Sequence, residues 1–356
     1  MTLSTKILAY RCGALGAFHR LRNRGQLTVA MFHRVLPESD PRHAGADPEW
    51  TMTPDTFDGC LRFFRRHYRV VTPQQVFAAL DGGAALPPRS LLITFDDGWA
   101  DTAEYAQPLL AQHALPALIF VAGCAIDSHA PFWEERAFSV LATRPDALAG
   151  LRAALALAPA SGEAAIRAVI GALGALPAPQ RSALLDEHCP TRGDAAEQMP
   201  AMLDAQQLRA LAASGLTIGG HGMAHVPLTR APDVTQELAQ AQACLSGHLK
   251  VPVIASMSFP HGAASGAVVE ACKAAGYRHL FSSAAELVTL PAGRAVDVPI
   301  GRIHVSERAI RAAGRFQPAL MATWMFLRPI ASLPAAAGAI NPATVKPATI
   351  KGAAHG

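Results

Sequence analysis

The chain has 356 residues, 51% of them apolar, which is enough to bury one large core and excludes extensive disorder. Its formal net charge of +4 comes from 31 basic and 27 acidic side chains, without the concentrated basic field that a nucleic-acid-binding protein needs. Six cysteines are widely scattered with no C-x-x-C pair, so no disulfide framework is indicated.

Residues 1–26 form the first predicted segment, an N-terminal arm that is both apolar and basic. Arg11 and Cys12 interrupt its apolar run, and no small-residue cleavage site follows, so a signal peptide is not indicated. We therefore expect a cytoplasmic location in a bacterial cell. Peripheral contact with the inner membrane is an additional expectation, because a short positive arm beside apolar residues suits a membrane surface.

Strands and helices alternate over residues 27–131, the first part of the predicted main domain. Helices are predicted at 54–68, 73–81 and 101–113, the last bent or broken around Pro108. Strands are predicted at 27–32, 69–71, 91–95 and 117–121. Such alternation is typical of an α/β fold with a parallel sheet, either open or closed.

Three further segments complete the predicted organisation. Residues 132–214 are rich in Ala and Leu and contain no strand candidate, which predicts a helical insertion. The alternation resumes over 215–310, and residues 311–356 are predicted to be an apolar segment followed by a flexible Ala/Pro-rich tail. Within that segment, residues 319–327 could lie on a membrane surface or pack as a helix on the main domain.

Two adjacent carboxylates, Asp96 and Asp97, come directly after the predicted strand 91–95 and before Gly98. The carboxyl ends of parallel strands are where α/β folds place their sites. Two neighbouring acids repel each other unless a cation or a proton relieves them. A turn that caps the following helix is an equally good explanation of this motif when it is taken alone.

Two histidines four residues apart, His221 and His225, follow the predicted strand 216–219. Such a pair can face one metal ion, although an isolated H-x-x-x-H pattern is weak. Joined by an aspartate from another strand end, it completes a set of two imidazoles and one carboxylate that leaves positions open for water.

Two later loops also carry polar residues after predicted strands. The first contains Pro260, His261 and Gly262, and its backbone N–H groups could hold an oxyanion, although a plain strand-ending turn explains it better in isolation. The second places Arg302 and His304 near the end of a late strand.

Taken together, T-F-D-D-G at 94–98, H-x-x-x-H at 221–225 and P-x-G at 260–262 occur in one chain and in this order. The arrangement resembles the NodB-type polysaccharide deacetylases, carbohydrate esterase family 4, over residues 27–305. This resemblance implies a distorted (β/α)7-type barrel, here with a helical insertion, and a divalent metal, commonly zinc. It also implies hydrolysis of a carbon–nitrogen bond that releases an acyl group, most often acetyl, from an amino sugar of a polysaccharide or its precursor.

The resemblance also implies a role for individual residues. By position, Asp97, His221 and His225 would be the metal ligands. Asp96 would be the general base that takes a proton from the attacking water. The usual acid of the family, a histidine on a late strand, maps onto His304, which would protonate the departing amine.

The loop at 260–262 departs from the family pattern in two ways. His261 replaces the usual aromatic residue, and the arginine that often precedes this loop is absent from residues 254–259. We expect Arg302 to steady Asp96 in its place. A backbone N–H at His261 or Gly262 would contribute to the oxyanion site, and His261 is an alternative to His304 as the acid.

Two other residues complete the predicted site. His33 lies in M-F-H-R, which resembles the Y-H-R-V segment of some family members, and would line the site or make a structural hydrogen bond. Trp99 is a candidate platform for a sugar ring, together with Phe132 and Trp133, although aromatic residues beside strand ends more often pack in a core.

Three functions remain open from the sequence. The first is deacylation of an N-acylated amino sugar in a carbohydrate. The second is deacylation or deformylation of a lipid-linked amino sugar at the membrane face, which the basic arm and residues 319–327 favour. The third is a catalytically inactive carbohydrate-binding barrel, which the intact set of Asp96, Asp97, His221 and His225 disfavours.

Overall fold

Short runs of branched and aromatic residues form the strands of a computed structural model that describes residues 2–190, 193, 196, 198–289 and 299–328. The strands are β1 Gln26–Phe32, β2 Arg34–Val35, β3 Thr51–Met52, β4 Arg69–Val70, β5 Ser90–Phe95, β6 Leu118–Val121, β7 Thr217–Gly220, β8 Ser256–Ser258, β9 His279–Phe281, β10 Val288–Thr289, β11 Ile303–His304, β12 Arg311–Ala312 and β13 Arg315–Phe316.

The main sheet runs in the order β10-β1-β5-β6-β7-β8-β9, with β4 beside β5 and β11 beside β1. Every pairing in it is parallel except that of β10 with β1. A single bridge from Phe281 to Ile300, followed by β11 against β1, brings the two ends of the sheet together. The predicted fold class, a distorted (β/α) barrel, is confirmed.

Helices alternate with the barrel strands and cover the outside of the sheet. They are α1 Leu3–Arg11, α2 Ala14–Arg22, α3 Pro54–His67, α4 Pro73–Leu80, α5 Gln107–Gln112, α6 Trp133–Thr143, α7 Pro145–Ala154, α8 Gly162–Ala175, α9 Ala178–His188, α10 Ala205–Ala213, α11 Val234–Leu249, α12 Gly266–Ala274, α13 Glu307–Ile310 and α14 Pro318–Leu327.

Local sequence signals set several helix starts. The Thr72 hydroxyl accepts a hydrogen bond from the backbone N–H of Gln75, and Oε1 of Gln75 accepts one from the backbone N–H of Thr72. Pro73 occupies the first position of α4. Asp204 and Gln207 form the same capping box at α10. The helix predicted to break near Pro108 instead begins with a π-helical turn over Thr102–Ala106 and continues as α5.

The helices between β6 and β7 contribute to two different cores. Helices α6 to α9 have their own apolar cluster, which includes Phe138, Leu151 and Leu173. Leu208 and Leu211 of α10, in contrast, belong to the cluster of the barrel. The proposed division of the chain into a main domain, a helical insertion and terminal segments stays a prediction.

Helix α14 packs against α1, α2 and α3 on the outside of the barrel. Phe326 is fully buried and stacks on the His19 ring at 4.1 Å between ring centroids. The expectation that residues 319–327 could lie on a membrane surface is therefore wrong for this helix, because its large apolar side chains Met321, Met325 and Phe326 are in the core. The predicted flexible tail at 329–356 lies outside the described residues.

Within the described residues, no helix has both the length and the apolar character required to cross a membrane.

Candidate active site

Parallel strands end at one rim of the barrel and bring polar residues from distant parts of the chain together there. Asp96 and Asp97 follow β5, His221 follows β7, and the 260–262 turn follows β8. His33 follows β1, and His304 ends β11 beside it, because Met31 and His304 are partners in the parallel ladder.

Three of these side chains form a compact set of donor atoms. The Nε2 atoms of His221 and His225 each lie 3.3 Å from Oδ1 of Asp97. One donor atom of each residue lies within 4.8 Å of the others. Asp97 and His225 both have positive φ, at 81° and 52°. Such backbone strain is common at functional sites, where the surrounding structure holds it in place.

Neighbouring groups fix the orientation of two members of this set. The Trp99 indole Nε1–H donates to Oδ2 of Asp97 at 2.9 Å. The Nδ1–H of His221 donates to the Ser258 carbonyl at 2.8 Å, which orients its Nε2 toward Asp97. Burial raises the pKa of Asp97, but the hydrogen bonds from the two imidazoles outweigh it and hold that pKa well below its usual value.

The position of Trp99 does not suit the binding of a sugar ring. Its indole is 4% exposed, and the Arg34 guanidinium lies over its ring at 4.2 Å from the centroid. The prediction that Trp99 contacts substrate is wrong in this structure, because the ring is packed between elements and holds Asp97 instead.

Asp96 forms a buried ion pair with Arg302. Its two carboxylate oxygens lie 2.6 and 2.7 Å from Nη1 and Nη2 of Arg302, a bidentate geometry. Nη2 of Arg302 also donates to Ser258 Oγ at 2.7 Å. Burial raises the pKa of Asp96, but the Arg302 guanidinium outweighs it and holds that pKa below the usual value. This contact matches the expectation that Arg302 steadies Asp96.

His33, Trp50 and His304 form one wall of the site. Trp50 packs against the His33 ring at 4.5 Å and the His304 ring at 4.6 Å between centroids. Burial lowers the pKa of His304 to about 3, and its Nδ1 lies 3.6 Å from Oε1 of Glu49. Burial also lowers the pKa of His33, whose Nδ1 is buried without a hydrogen-bond partner in the described structure.

The 260–262 turn lies at the opposite side, next to His225. His261, with a positive φ of 56°, donates from Nε2 to the His225 carbonyl at 3.2 Å. Burial lowers the pKa of His261 to about 4. The Gly262 N–H is used inside the turn, where it donates to the Phe259 carbonyl at 2.9 Å. The prediction that Gly262 supplies an oxyanion donor is therefore wrong, and the backbone N–H of His261 is the remaining candidate.

Gly262 is nevertheless required by the shape of this turn. Its φ is 68°, and a Cβ atom would lie 1.9 Å from Ser283 Oγ. Its role is to let the chain pass close to the next strand end.

Residues near the start of α6 also reach the site. Phe132 was a sequence candidate for a sugar platform, whereas Glu134 was not assigned to the site. The Phe132 ring stacks on the His225 ring at 3.9 Å between centroids, with an interplanar angle of 20°. Oε1 of Glu134 lies 3.6 Å from His261 Nε2. Burial raises the pKa of Glu134 to about 7. Trp133, the third aromatic candidate, instead lies beneath the Arg181 guanidinium at 4.7 Å in the helical cluster.

A barrel whose strand ends carry a buried carboxylate, two facing imidazoles and an arginine-paired aspartate has the layout of a hydrolase centre. The family profile described as polysaccharide deacetylase matches residues 83–280, which is more than half of the chain. The chain belongs to the polysaccharide deacetylase family and is a hydrolase acting on carbon–nitrogen bonds other than peptide bonds.

Several solved structures share this fold. IcaB from Ammonifex degensii is 20% identical, with a TM-score of 0.54, over 85% of this chain and 97% of its own. The deacetylase PplD from Streptococcus pyogenes, in complex with acetate, is 17% identical, with a TM-score of 0.54, over 84% and 98%. BC0361, a polysaccharide deacetylase from Bacillus cereus, is 11% identical, with a TM-score of 0.54, over 84% and 69%. At these identities the likeness establishes the fold alone.

Among curated protein sequences, none matches this chain significantly.

Proposed function

We propose that this protein is a metal-dependent deacylase that removes an N-acyl group, acetyl in the first instance, from an amino sugar of a polysaccharide or its precursor. The observation that carries the proposal is the set of Asp97, His221 and His225, three donor atoms within 4.8 Å of one another at the carboxyl ends of two strands.

The chemistry of these donors fits a catalytic divalent metal. Two imidazole nitrogens and one carboxylate oxygen are a ligand set that zinc uses when it keeps a position open for water. His221 is held by Ser258 in the tautomer whose Nε2 can ligate. When bound, a divalent cation such as zinc supplies Lewis-acid activation of water and of the scissile carbonyl.

Two other residues would manage the protons of the reaction. Asp96, held in place by Arg302, would take the proton of the attacking water. His304 would give a proton to the departing amine. Because burial lowers the pKa of His304 to about 3, it would take up from solvent the proton that it delivers to the amine, and the Glu49 carboxylate 3.6 Å away would stabilise the resulting imidazolium.

Trp50 is the side chain best placed to receive a sugar ring. Its indole is 39% exposed while it packs against His33 and His304, so it lies at the rim of the site with part of its surface open to solvent. Aromatic side chains combine a large apolar area with a rigid face, which suits them to the apolar side of a pyranose.

Replacing Trp50 with alanine is expected to raise KM about tenfold, equivalent to about 1.4 kcal/mol of lost binding, and to change kcat by no more than about threefold. Trp50→Phe, which keeps a ring, should recover most of the affinity. Steady-state kinetics on N-acetylhexosamine oligomers measures both. A fall in kcat with unchanged KM would contradict a role in binding the sugar.

A second candidate substrate is an amino sugar attached to a lipid. Helices α1 and α2 expose Leu8 and Leu21, at 68% and 82%. Residues 1–24, which include both helices, contain five basic side chains, Lys6, Arg11, Arg20, Arg22 and Arg24. The first acidic residue of the chain is Glu38. An apolar and purely basic surface of this kind is suited to an anionic bilayer, which supports the proposed location at the inner membrane of a bacterial cell.

One assay separates these candidates. Acyl release should be measured from soluble N-acetylhexosamine oligomers and from lipid-linked amino sugars in vesicles, with Asp96→Asn protein as the blank. Release from oligomers supports the first candidate, and release from the lipid-linked substrate alone supports the second. Release from neither, by protein that contains stoichiometric metal, would favour an inactive carbohydrate-binding barrel.

A further inference from the structure

Residues at the start of α6 pack on two sides of the proposed metal ligands Asp97, His221 and His225. On one side, Phe132 stacks on the His225 ring at 3.9 Å. On the other, Glu135 forms an ion pair with Arg34, and the Arg34 guanidinium lies over the ring of Trp99. The first turn of a helix in the predicted insertion therefore forms part of the wall behind the ligands.

Glu134, between these two contacts, has an unusual environment. Both of its carboxylate oxygens are buried, and neither has a hydrogen-bond partner in the described structure, although its stem leaves the side chain 24% exposed. Leaving a buried carboxylate without a donor is costly, so such a group is expected to meet a partner in the working state of the protein.

The imidazoles of His225 and His261 are potential donors close to Glu134. One carboxylate oxygen of Glu134 and one ring nitrogen of each histidine lie within 4.8 Å of one another. His261 is already engaged, because its Nε2–H donates to the His225 carbonyl at 3.2 Å. Of these two imidazoles, that of His225 remains as a donor.

The geometry of His225 leaves one ring nitrogen for Glu134. Its Nε2 faces Asp97 at 3.3 Å, which directs Nδ1 away from the ligand set. A histidine that ligates a metal usually donates its other ring N–H to a carboxylate or carbonyl, as His221 does to Ser258 at 2.8 Å. The hydrogen bonds of the described residues include no corresponding acceptor for His225 Nδ1.

We propose that Glu134 is a positioning residue for the metal ligand His225, accepting the N–H of its Nδ1 and so fixing the ring for metal binding. This inference rests on the proposed metal-dependent function. It assigns part of the predicted helical insertion to the metal centre, so that the affinity of the site depends on how α6 packs against the barrel.

The test compares metal affinity in full-length wild-type protein, Glu134→Ala and the control Glu187→Ala, because alanine, unlike glutamine, leaves no oxygen that could accept the His225 N–H. The Glu187 side chain, on α9, is 70% exposed, and its Oε1 lies 3.8 Å from Nε2 of His188. Zinc dissociation constants would be measured by competition with a chromophoric chelator, and thermal unfolding of the metal-free proteins would show that all three fold alike.

We expect Glu134→Ala to weaken zinc binding about 10- to 100-fold, while Glu187→Ala matches wild type. The visible spectrum of the cobalt-substituted variant should keep the wild-type band pattern, since Glu134 is not itself a ligand. An unchanged dissociation constant would overturn the inference even if KM changed, and an altered cobalt spectrum would replace positioning by direct ligation. If wild-type protein bound no zinc, both this inference and the proposed function would fail.

Discussion

Asp97→Asn protein is expected to fold normally but to lose stoichiometric zinc and to fall at least about a thousandfold in kcat/KM. The substitution removes the negative charge that faces both imidazoles while keeping an oxygen that can accept the Trp99 N–H. Asparagine also tolerates the positive φ of 81° at this position better than most residues. Metal content by elemental analysis and acetate release on the same preparation measure the two losses together.

His221→Ala provides the second arm of this experiment, since it removes an imidazole ligand and leaves Asp97 in place. The control is Asp186→Asn, because the side chain of Asp186 is 69% exposed. Both ligand variants should lose metal and activity in parallel, and the control should lose neither. Full activity in a ligand variant that contains no metal would contradict the proposed centre.

Asp96→Asn is expected to retain zinc and to lower kcat by about 10²- to 10⁴-fold, because it removes the general base without touching a ligand. The replacement keeps the size of the side chain but leaves Arg302 without a charged partner in a buried position. We therefore also expect a loss of roughly 3–5 kcal/mol in the free energy of unfolding, which denaturant titration measures.

Zinc content and kcat of Asp96→Asn, measured separately, distinguish a general base from a metal ligand. Asp96→Asn that binds zinc with wild-type affinity and turns over substrate within about threefold of wild type would exclude Asp96 as the base. A loss of zinc would instead assign Asp96 to the ligand set.

The barrel could be predicted because its elements are encoded locally. Buried strands such as β5 and β6 are short apolar runs, and helices such as α4 carry Thr-Pro starts whose capping chemistry depends on neighbouring residues. The candidate site could be predicted for a related reason. Asp96 and Asp97 come directly after β5, His221 comes directly after β7 with His225 in the same loop, and parallel strands end at a common rim.

The walls of the site could not be predicted because they depend on how distant segments pack. Glu134 and Trp50 stand in segments with no motif, and only the folded chain brings them beside His225 and His304. Trp99 was assigned to substrate because exposure is not encoded in the D-D-G-W pattern, whereas the structure buries its indole and directs its N–H to Asp97. The Arg302 contact was anticipated only because the family arginine is missing from residues 254–259.

The central claim, a metal-dependent deacylase, is tested most directly by acetate release from N-acetylhexosamine oligomers before chelation, after chelation and after return of one equivalent of zinc. The account predicts activity in the untreated protein, its loss in the chelated protein, and recovery at one equivalent, with no recovery in Asp97→Asn. Equal rates of release in all three states of the wild-type protein would contradict it.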